Sequence, residues 1–299
     1  MVDELTFDRR VAIVTGGGGG LGRAHALLLA ERGARVVVND IGGAVDGSDR
    51  SEGPANDVVS QIRAGGGMAV ADTNGVETPE GGVAIVDTAL EAFGRVDIVV
   101  NNAGILRDRT FHNLSSDDLE AVLDVHLRGT IHVTQPAWAR MRDQGYGRVV
   151  TTASPAGLYG NFGQSNYSAA KMGLVGLTRT LAVEGAKHGI HANVISPMAL
   201  TRMTADLLPG ELAAKLAPER VSPLVAWLAH ESCDVSGQIF TVGGGRVARV
   251  IVAETSGYIA ENLTPEDIAA HRDEITGTEV DFVPTDAGEQ GAQLLPRLP

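Results

Sequence analysis

The stretch VAIVTGGGGGLGRA, residues 11–24, decides the fold of this 299-residue chain. Its first part is apolar and β-branched and predicts a buried strand, and the residues after the glycines continue into an amphipathic helical pattern. Glycines between a strand and a helix let the backbone turn sharply and approach a pyrophosphate, which the free N–H groups and the positive end of the helix then bind. The stretch therefore predicts a dinucleotide-binding unit.

The five consecutive glycines allow two registers of this fingerprint. One is the general spacing Gly17, Gly19 and Gly22, which is a weak signal on its own. Thr15 before the run and Leu21 after it favour the other register, in which we expect the cofactor to lie against Gly16, Gly20, Leu21 and Gly22. An ordinary glycine-rich turn is the alternative, and the strand before it and the helix after it argue against that interpretation.

Short apolar runs alternate with longer amphipathic stretches along residues 1–245. The strand-like runs cover residues 10–15, 35–39, 68–71, 97–101, 148–152, 191–195 and 238–242. Several are apolar without alternation, as expected of strands that are covered on both faces. We predict an α/β fold, a Rossmann-type doubly wound seven-stranded parallel sheet with helices on both faces.

Two segments depart from this rhythm. Residues 42–56 are polar and acidic, and we expect them to form an exposed excursion beside the second strand. Residues 246–299 follow the last predicted strand and contain ten acidic residues and four arginines. They also hold a strand-like run, RVARVIVAE, and a helix signal that begins at Thr264. We predict a C-terminal extension packed on the main domain, with a flexible tail after about Val283.

The charge of the chain excludes one class of partner. Its 24 basic and 37 acidic side chains give a net charge of −13 at pH 7, so a basic groove for nucleic acid is not expected. The single cysteine, Cys233, cannot form an internal disulfide, which is typical of a reducing compartment. No signal peptide or membrane-spanning run is visible. We predict a cytoplasmic protein with no membrane partner and no metal site.

The helical stretch 167–183, YSAAKMGLVGLTRTLAV, is small or apolar nearly all round. A helix without a clear polar face is buried on more than one side. We therefore expect the sheet to cover one face and another subunit to cover the other. The chain is predicted to form a homo-oligomer, and the sequence leaves open whether it is a dimer or a tetramer.

An acidic residue at the end of the second predicted strand indicates which dinucleotide is bound. Asp40 lies 18 residues after Gly22, where a carboxylate accepts hydrogen bonds from both hydroxyls of the adenosine ribose and repels a 2′-phosphate. We predict NAD over NADP as the cofactor. The alternative is an aspartate that only caps its own loop.

A tyrosine and a lysine stand one helical turn apart in the apolar helix. Tyr167 and Lys171 share a face at positions i and i+4, and an ammonium close to a phenol is expected to lower the pKa of the phenol. The tyrosine then acts as a general base or acid. Ser154 lies at the end of the preceding predicted strand, where its hydroxyl can bond the oxygen that the tyrosine serves. We predict Ser154, Tyr167 and Lys171 as the catalytic residues.

These motifs, together with Asn101-Asn-Ala-Gly104 after the fourth predicted strand, resemble the short-chain dehydrogenases/reductases over roughly residues 6–245. The resemblance implies that Tyr167 is the acid/base, that Ser154 positions the reacting oxygen and that Lys171 holds the nicotinamide ribose. It implies further cofactor contacts from Asn74 near the adenine, from Pro197 near the carboxamide, and from Asn102, Ala103 and Gly104 near the adenine-side ribose.

Longer stretches, among them YGNFGQSNYSAAKMGLVGL, resemble the dehydrogenase part of the type 2 peroxisomal multifunctional enzymes. That resemblance implies NAD-dependent oxidation of a (3R)-hydroxyacyl-CoA, or of a steroid-linked CoA thioester. A dehydrogenase of free 17β-hydroxysteroids or other alcohols is the alternative, and a non-catalytic NAD-binding regulator is the alternative of another class. His126 departs from the broad family, in which most members have an asparagine at this position of a proton relay.

The sequence gives only hints of how a CoA ester would be held. Arg107, Arg109 and Arg202 lie in segments expected near the mouth of the pocket, where they could meet phosphates. Solvated or structural arginines are an equally good interpretation.

Overall fold

A computed structural model of the chain describes residues 4–201 and 215–298. Arg202, one of the three arginines considered for CoA binding, lies outside the described residues. The chain divides into two compact units, Met1–Arg249 and Val250–Pro299. The predicted boundary at residue 245 lies four residues before the division between these units.

The first unit is built on one sheet. Its strands are β1 (Val11–Thr15), β2 (Arg35–Asn39), β3 (Met68–Asp72), β4 (Ile98–Asn101), β5 (Gly147–Thr152), β6 (Ile190–Pro197), β7 (Ile239–Gly243) and β8 (Arg246–Val250). Their order in the sheet is β3-β2-β1-β4-β5-β6-β7-β8, and β1 to β7 pair in parallel. The order reverses between β1 and β4, and a sheet of this kind binds its ligand beyond the carboxyl ends of the strands at that point.

The seven predicted strands are confirmed to within two residues at each end, and the sheet has an eighth strand. β8 is the start of the strand-like run that the sequence assigned to the extension. Only Gly244 and Gly245 connect it to β7, with φ angles of 60° and 85°. A two-residue loop with two positive φ angles forms a hairpin, so β8 runs antiparallel to β7. The sheet therefore continues past the predicted boundary.

Helices connect the strands. They are α1 (Gly20–Glu31), α2 (Gly53–Ala64), α3 (Pro79–Phe93), α4 (Ser116–Leu123), α5 (Gly129–Gln144), α6 (Pro155–Tyr159), α7 (Ser165–Gly185) and α8 (Ser222–Ala229). A π-helical turn, Asp124–Arg128, joins α4 to α5 without a break. The Ser115 hydroxyl caps the start of α4 by accepting the N–H of Asp118 at 3.1 Å.

Each face of the sheet has its own core, because successive side chains of a strand point to opposite faces. In β1, Ala12 and Val14 belong to one core, and Val11 and Ile13 belong to the other. Residues of α1, α2 and α8 pack into the first core, and residues of α3 and α5 pack into the second. The prediction of a doubly wound sheet with helices on both faces is confirmed.

The long segment after β2 differs in part from the predicted exposed excursion. Its last four residues begin α2, where Pro54 occupies a first-turn position that tolerates the missing N–H. The remainder folds back on itself, because Ser51 donates its N–H to the carbonyl of Ile41 at 2.9 Å and Ala44 donates to the carbonyl of Ser48 at 2.7 Å. Residues 48–52 of this loop are exposed, as predicted, and other residues of the loop line the cavity described below.

The second unit has a small structure of its own. Two strands, β9 (Glu254–Thr255) and β10 (Val280–Phe282), pair antiparallel. The predicted helix signal at Thr264 is confirmed by a capping box with Asp267. The short helices of the unit are α9 (Pro265–Ala270), α10 (Arg272–Ile275) and α11 (Ala287–Leu294). The segment predicted as a flexible tail therefore contains a helix, which Asp286 caps.

Among the described residues, no helix combines the length and the apolar character that crossing a lipid bilayer requires.

Candidate active site

A cavity of about 780 Å³ opens at the carboxyl ends of the strands. Eleven of the predicted site residues lie in its wall: Gly16, Gly20, Leu21, Asp40, Asn102, Ala103, Gly104, Ser154, Tyr167, Lys171 and Pro197. Two others, Gly22 and Asn74, lie outside that wall. The fold thus brings both predicted groups, the cofactor residues and the catalytic residues, to one cavity.

The turn after β1 requires glycine at particular positions. Gly16 and Gly20 have φ angles of 63° and 50°, in the left-handed region that other residues avoid. A Cβ on Gly22 would lie 2.1 Å from the carbonyl oxygen of Gly16, so α1 packs against the turn only with glycine there. These are the three glycines of the register that the flanking residues favour.

The start of α1 is open to a ligand. Its N-cap, Gly19, makes no side-chain capping bond, and a Cβ built there would meet nothing within 4 Å. The first N–H groups of a helix have no acceptor within the helix, so an anion can take them. This cradle fits the pyrophosphate of a dinucleotide.

Asp40 is held at the end of β2 by backbone donors. Its Oδ2 accepts the N–H of Gly18 at 2.8 Å, and its Oδ1 accepts the N–H of Gly42 at 2.7 Å. A Cβ on Gly18 would lie 2.9 Å from the carboxyl carbon of Asp40. The aspartate therefore caps its own loop and also lines the cavity, and its contact with an adenosine ribose stays a prediction.

Asn74 is exposed and bonds away from the cavity. Its amide donates to Oδ2 of Asp72 at 2.8 Å, and its backbone carbonyl accepts a bond from Asn39 at 2.8 Å. Asp72 is buried and also accepts bonds from Asn39 and Thr88. The contact of Asn74 with adenine stays a prediction, and its neighbours Val76 and Glu77 line the cavity instead.

Side-chain hydrogen bonds from Thr15 and Asn102 join the segment after β4 to the end of β1. Thr15 Oγ1 accepts the N–H of Asn102 at 3.0 Å and the N–H of Ala103 at 3.1 Å. The Asn102 amide donates to the carbonyls of Thr15 and Gly16. These bonds hold the wall of the cavity in shape.

Ser154, Tyr167 and Lys171 form one cluster. The Ser154 hydroxyl caps α6 by accepting the N–H of Ala156 at 3.2 Å, and it also bonds the Tyr167 phenol. Lys171 is 3% exposed, donates to the carbonyl of Thr152 at 2.5 Å and lies 5.5 Å from the centre of the Tyr167 ring. Burial lowers the pKa of Lys171 to about 7.

The expected direction of the tyrosine shift is wrong for this structure. Burial raises the pKa of Tyr167 above its usual value, and the bond from Ser154 opposes that shift. Burial disfavours the charged phenolate, and it also weakens the ammonium character of Lys171, which was expected to stabilise it. A tyrosine and a serine that share a hydrogen bond beside a buried lysine can still pass a proton to or from a substrate oxygen.

A family model described as short chain dehydrogenase matches residues 10–211. The chain belongs to the short-chain dehydrogenases. Membership makes it an oxidoreductase that uses a nicotinamide dinucleotide, as the sequence predicted.

Two relatives and one solved structure are similar to this dehydrogenase. Peroxisomal multifunctional enzyme type 2 of Mus musculus is 51% identical over 90% of this chain and 37% of that protein. A hydroxyacyl-CoA dehydrogenase of Mycobacterium tuberculosis is 43% identical over 81% of this chain and 79% of that protein. A 7α-hydroxysteroid dehydrogenase complexed with NADH and 7-oxo glycochenodeoxycholic acid has a TM-score of 0.74 at 29% identity, covering 82% of this chain and 98% of that one.

These findings confirm the family resemblance and the Rossmann-type fold. The similarity to the mouse protein also confirms the closer resemblance to the multifunctional enzymes. The dehydrogenase spans little more than a third of the length of that relative, 37%.

His126 supports the wall of the dehydrogenase cavity from the π-helical turn. It is 2% exposed, and its Nε2 lies 3.1 Å from the backbone nitrogen of Ile105 and 2.8 Å from its carbonyl oxygen. A Cβ on Gly104 would lie 2.3 Å from the His126 ring, which also stands edge-on to Tyr167 at 5.1 Å. Burial holds the pKa of His126 well below its usual value, so the ring is neutral.

Some residues of the site were not predicted from the sequence. Thr15, which supports the β4 end, is adjacent to the glycine run but carries no motif of its own. Arg50 and Glu77 line the cavity and form an ion pair of 2.6 Å between the segments that follow β2 and β3. They come together only through the sheet order, so no local signal could have identified them.

Proposed function

We propose that the protein oxidises a secondary alcohol with NAD, and that the alcohol is the 3-hydroxyl of a (3R)-hydroxyacyl-CoA or of a steroid-linked CoA thioester. The observation that carries the proposal is the cluster of Ser154, Tyr167 and Lys171 in the wall of the cavity that also holds the glycine turn and Asp40. The name of the mycobacterial relative and the similarity to the mouse multifunctional enzyme support the acyl-CoA substrate.

The choice of NAD over NADP rests on Asp40. Its carboxylate stands in the cavity wall and would repel a 2′-phosphate. Arg50 is a cation in the same wall, and it is paired with Glu77 at 2.6 Å. The pair offsets the charge of Arg50, and the carboxylates of Glu77 and Asp40 in the same wall would repel a phosphate.

Residues of the chain itself accept the proton of the substrate hydroxyl. The glycine turn and Asp40 would hold the dinucleotide, which would supply the acceptor for a hydride from the carbinol carbon. Tyr167, in its phenolate form, takes the hydroxyl proton and becomes the phenol, and Ser154 donates a hydrogen bond to the oxygen as it becomes a carbonyl. Lys171, whose pKa is about 7, can hold or release a proton near neutral pH, and its proposed second role is to bond the nicotinamide ribose. The cavity wall keeps these groups largely away from water.

The arginines expected to meet CoA phosphates have a partner. Arg107 and Arg109 each lie 3.8 Å from the carboxylate of Asp118, and of these two only Arg107 lines the cavity. We propose Arg107 as the first of them to examine for CoA binding.

The experiment is an assay of NADH formation with (3R)- and (3S)-hydroxyacyl-CoA esters and free 17β-hydroxysteroids, with NAD and NADP in parallel. We expect turnover with the (3R) esters and NAD. Turnover on free steroids or other alcohols alone would keep the chemistry and overturn the CoA substrate. NAD binding without turnover on any of them would favour a non-catalytic regulator.

We also propose that the chain self-associates through α7. Apart from Glu184 near its end, the exposed positions of this helix recur every three or four residues and are small or apolar except for one threonine: Ala169, Met172, Gly176, Thr180 and Val183. Such a stripe buries well against a second copy. Light scattering that gives the mass of a single chain would contradict this proposal.

The compartment is proposed from the sequence alone to be the cytoplasm. The mouse relative is named a peroxisomal enzyme. Fractionation of the native host, with markers for both compartments where it has them, decides between the two.

A further inference from the structure

The helix that carries Tyr167 begins close to it and without a conventional cap. α7 starts at Ser165, and its N-cap residue, Gln164, makes no side-chain capping bond. The first N–H groups of a helix find no acceptor within the helix, and helix ends fray. Tyr167 is therefore in the least secure turn of α7, although proton transfer depends on where its phenol stands.

The side chain of Asn166 makes hydrogen bonds at the start of α7, where Gln164 makes no capping bond. Its Oδ1 accepts the N–H of Tyr167 at 2.8 Å, and its Nδ2 donates to the carbonyl of Arg107 at 3.0 Å and to the carbonyl of Asp118 at 3.2 Å. Asn166 is 1% exposed. One buried amide thus joins the start of α7 to the loop after β4 and to α4.

The same loop is joined to the segment before α7 by two other bonds. Arg109 donates its N–H to the carbonyl of Gly163 at 2.8 Å, and Gln164 donates its side-chain amide to Asp108 at 2.7 Å. Asp108 and Arg109 are exposed, so water competes for these bonds. The bonds of Asn166 are shielded, and a buried group left without its partner costs about 1–3 kcal/mol.

We propose that Asn166 is a positioning residue that holds Tyr167 at the place where its phenol exchanges a proton with the substrate oxygen. The inference rests on the proposed role of Tyr167 as the acid/base. A displacement of about 1 Å in a reacting group can lower a rate by roughly a hundredfold. A small shift of this turn is therefore expected to cause a measurable loss of kcat.

The test compares Asn166→Ala with Asn193→Ala. Asn193 is a matched control because it is also 1% exposed and bonds through both ends of its amide, donating to Val235 at 2.8 Å and accepting from Gln238 at 3.1 Å. It lies on β6, and neither of these bonds joins it to α7. Both variants are expected to lower the melting temperature. Only Asn166→Ala is expected to lower kcat, by about tenfold to a hundredfold, with the KM for NAD within about threefold of the wild-type value.

The pH profile of kcat gives a readout that a general loss of stability would not change. Burial is the largest cause of the raised pKa of Tyr167, so a loosened turn that admits water should move the apparent pKa of the profile downward. Asn193→Ala should leave the profile where it is. If Asn166→Ala does not fold, Asn166→Ser, which keeps one hydroxyl partner, serves for the same comparison.

Two results would overturn the inference: a folded Asn166 variant with the kcat and pH profile of the wild type, or an equal loss of kcat in Asn193→Ala. Tyr167→Phe is measured in the same series. If that variant keeps normal turnover, the proposed role of Tyr167 fails. If it is inactive while the Asn166 variants are normal, the positioning role alone fails.

Discussion

The glycine turn after β1 and the cluster around Tyr167 share one cavity and are built in opposite ways. The turn is shaped by missing side chains, since a Cβ on Gly22 would lie 2.1 Å from a carbonyl oxygen. The cluster is made of buried polar side chains, whose proton affinities are set by elements far away in the chain. A steric requirement is local and readable from the sequence, whereas an electrostatic one depends on the assembled fold.

Removing the phenol hydroxyl is expected to have the largest effect of the substitutions that test this contrast. Tyr167→Phe takes away the proposed proton acceptor and leaves the turn intact, so kcat should fall by about 10²–10⁴-fold while NAD affinity stays near that of the wild type. Steady-state turnover and a direct titration with NAD measure the two effects. A variant that turns over normally, or one that loses NAD binding as well, would contradict the separation of the two regions.

The buried lysine is expected to make stability depend on pH. The folded pKa of Lys171 is about 7 against a usual 10.5, so between these values the unfolded chain binds a proton that the folded chain does not. The free energy of unfolding contributed by this group therefore rises with pH across that window, by at most about 1.4 kcal/mol per pH unit.

Denaturant unfolding of the wild type and of Lys171→Met from pH 7 to 9 measures this dependence. The methionine variant should lack the rise. Lys187→Met, at an exposed lysine of the turn after α7, is the control and should retain it. Parallel curves for the wild type and Lys171→Met would show that Lys171 is not the source.

The steric side is tested by adding one methyl group at either of two glycines. Gly22→Ala should lower the free energy of unfolding by about 1–3 kcal/mol, because the Cβ meets the carbonyl of Gly16. Gly19→Ala places its methyl in open space with an extended backbone and should leave stability nearly unchanged. Thermal unfolding without cofactor measures both, and similar values for the two variants would remove the steric argument.

Cofactor choice is expected to show the smallest effect. Asp40→Asn keeps the size of the side chain but removes the charge that repels a 2′-phosphate, so the ratio of kcat/KM for NADP to that for NAD should rise about tenfold. Parallel assays with the two cofactors give the ratio. An unchanged ratio would mean that the carboxylate serves only to cap its own loop through Gly18 and Gly42.

The sequence predictions succeeded where a feature depends on local residues and failed where it depends on the assembled fold. The strands of the sheet were predicted because strands buried on both faces have continuous apolar runs in their sequence. The loop after β2 is exposed in part, as predicted, but its contribution to the cavity wall was missed, because only its bonds to Ile41 and Leu106 fix its path. Arg50, Glu77 and Asn166 were missed for a related reason, since their partners come from other segments of the chain.

The sequence by itself determined the doubly wound sheet and the glycine turn, and it predicted Ser154, Tyr167 and Lys171 as catalytic residues, because each inference depends on local spacing and residue type. Only the tertiary structure decided the eighth strand of the sheet, the direction of the pKa shift of Tyr167 and the support of its helix by Asn166. Burial and pairing are properties of the packed chain. Residues distant in sequence remove water from a group or supply its hydrogen bond, and no local pattern records which ones they are.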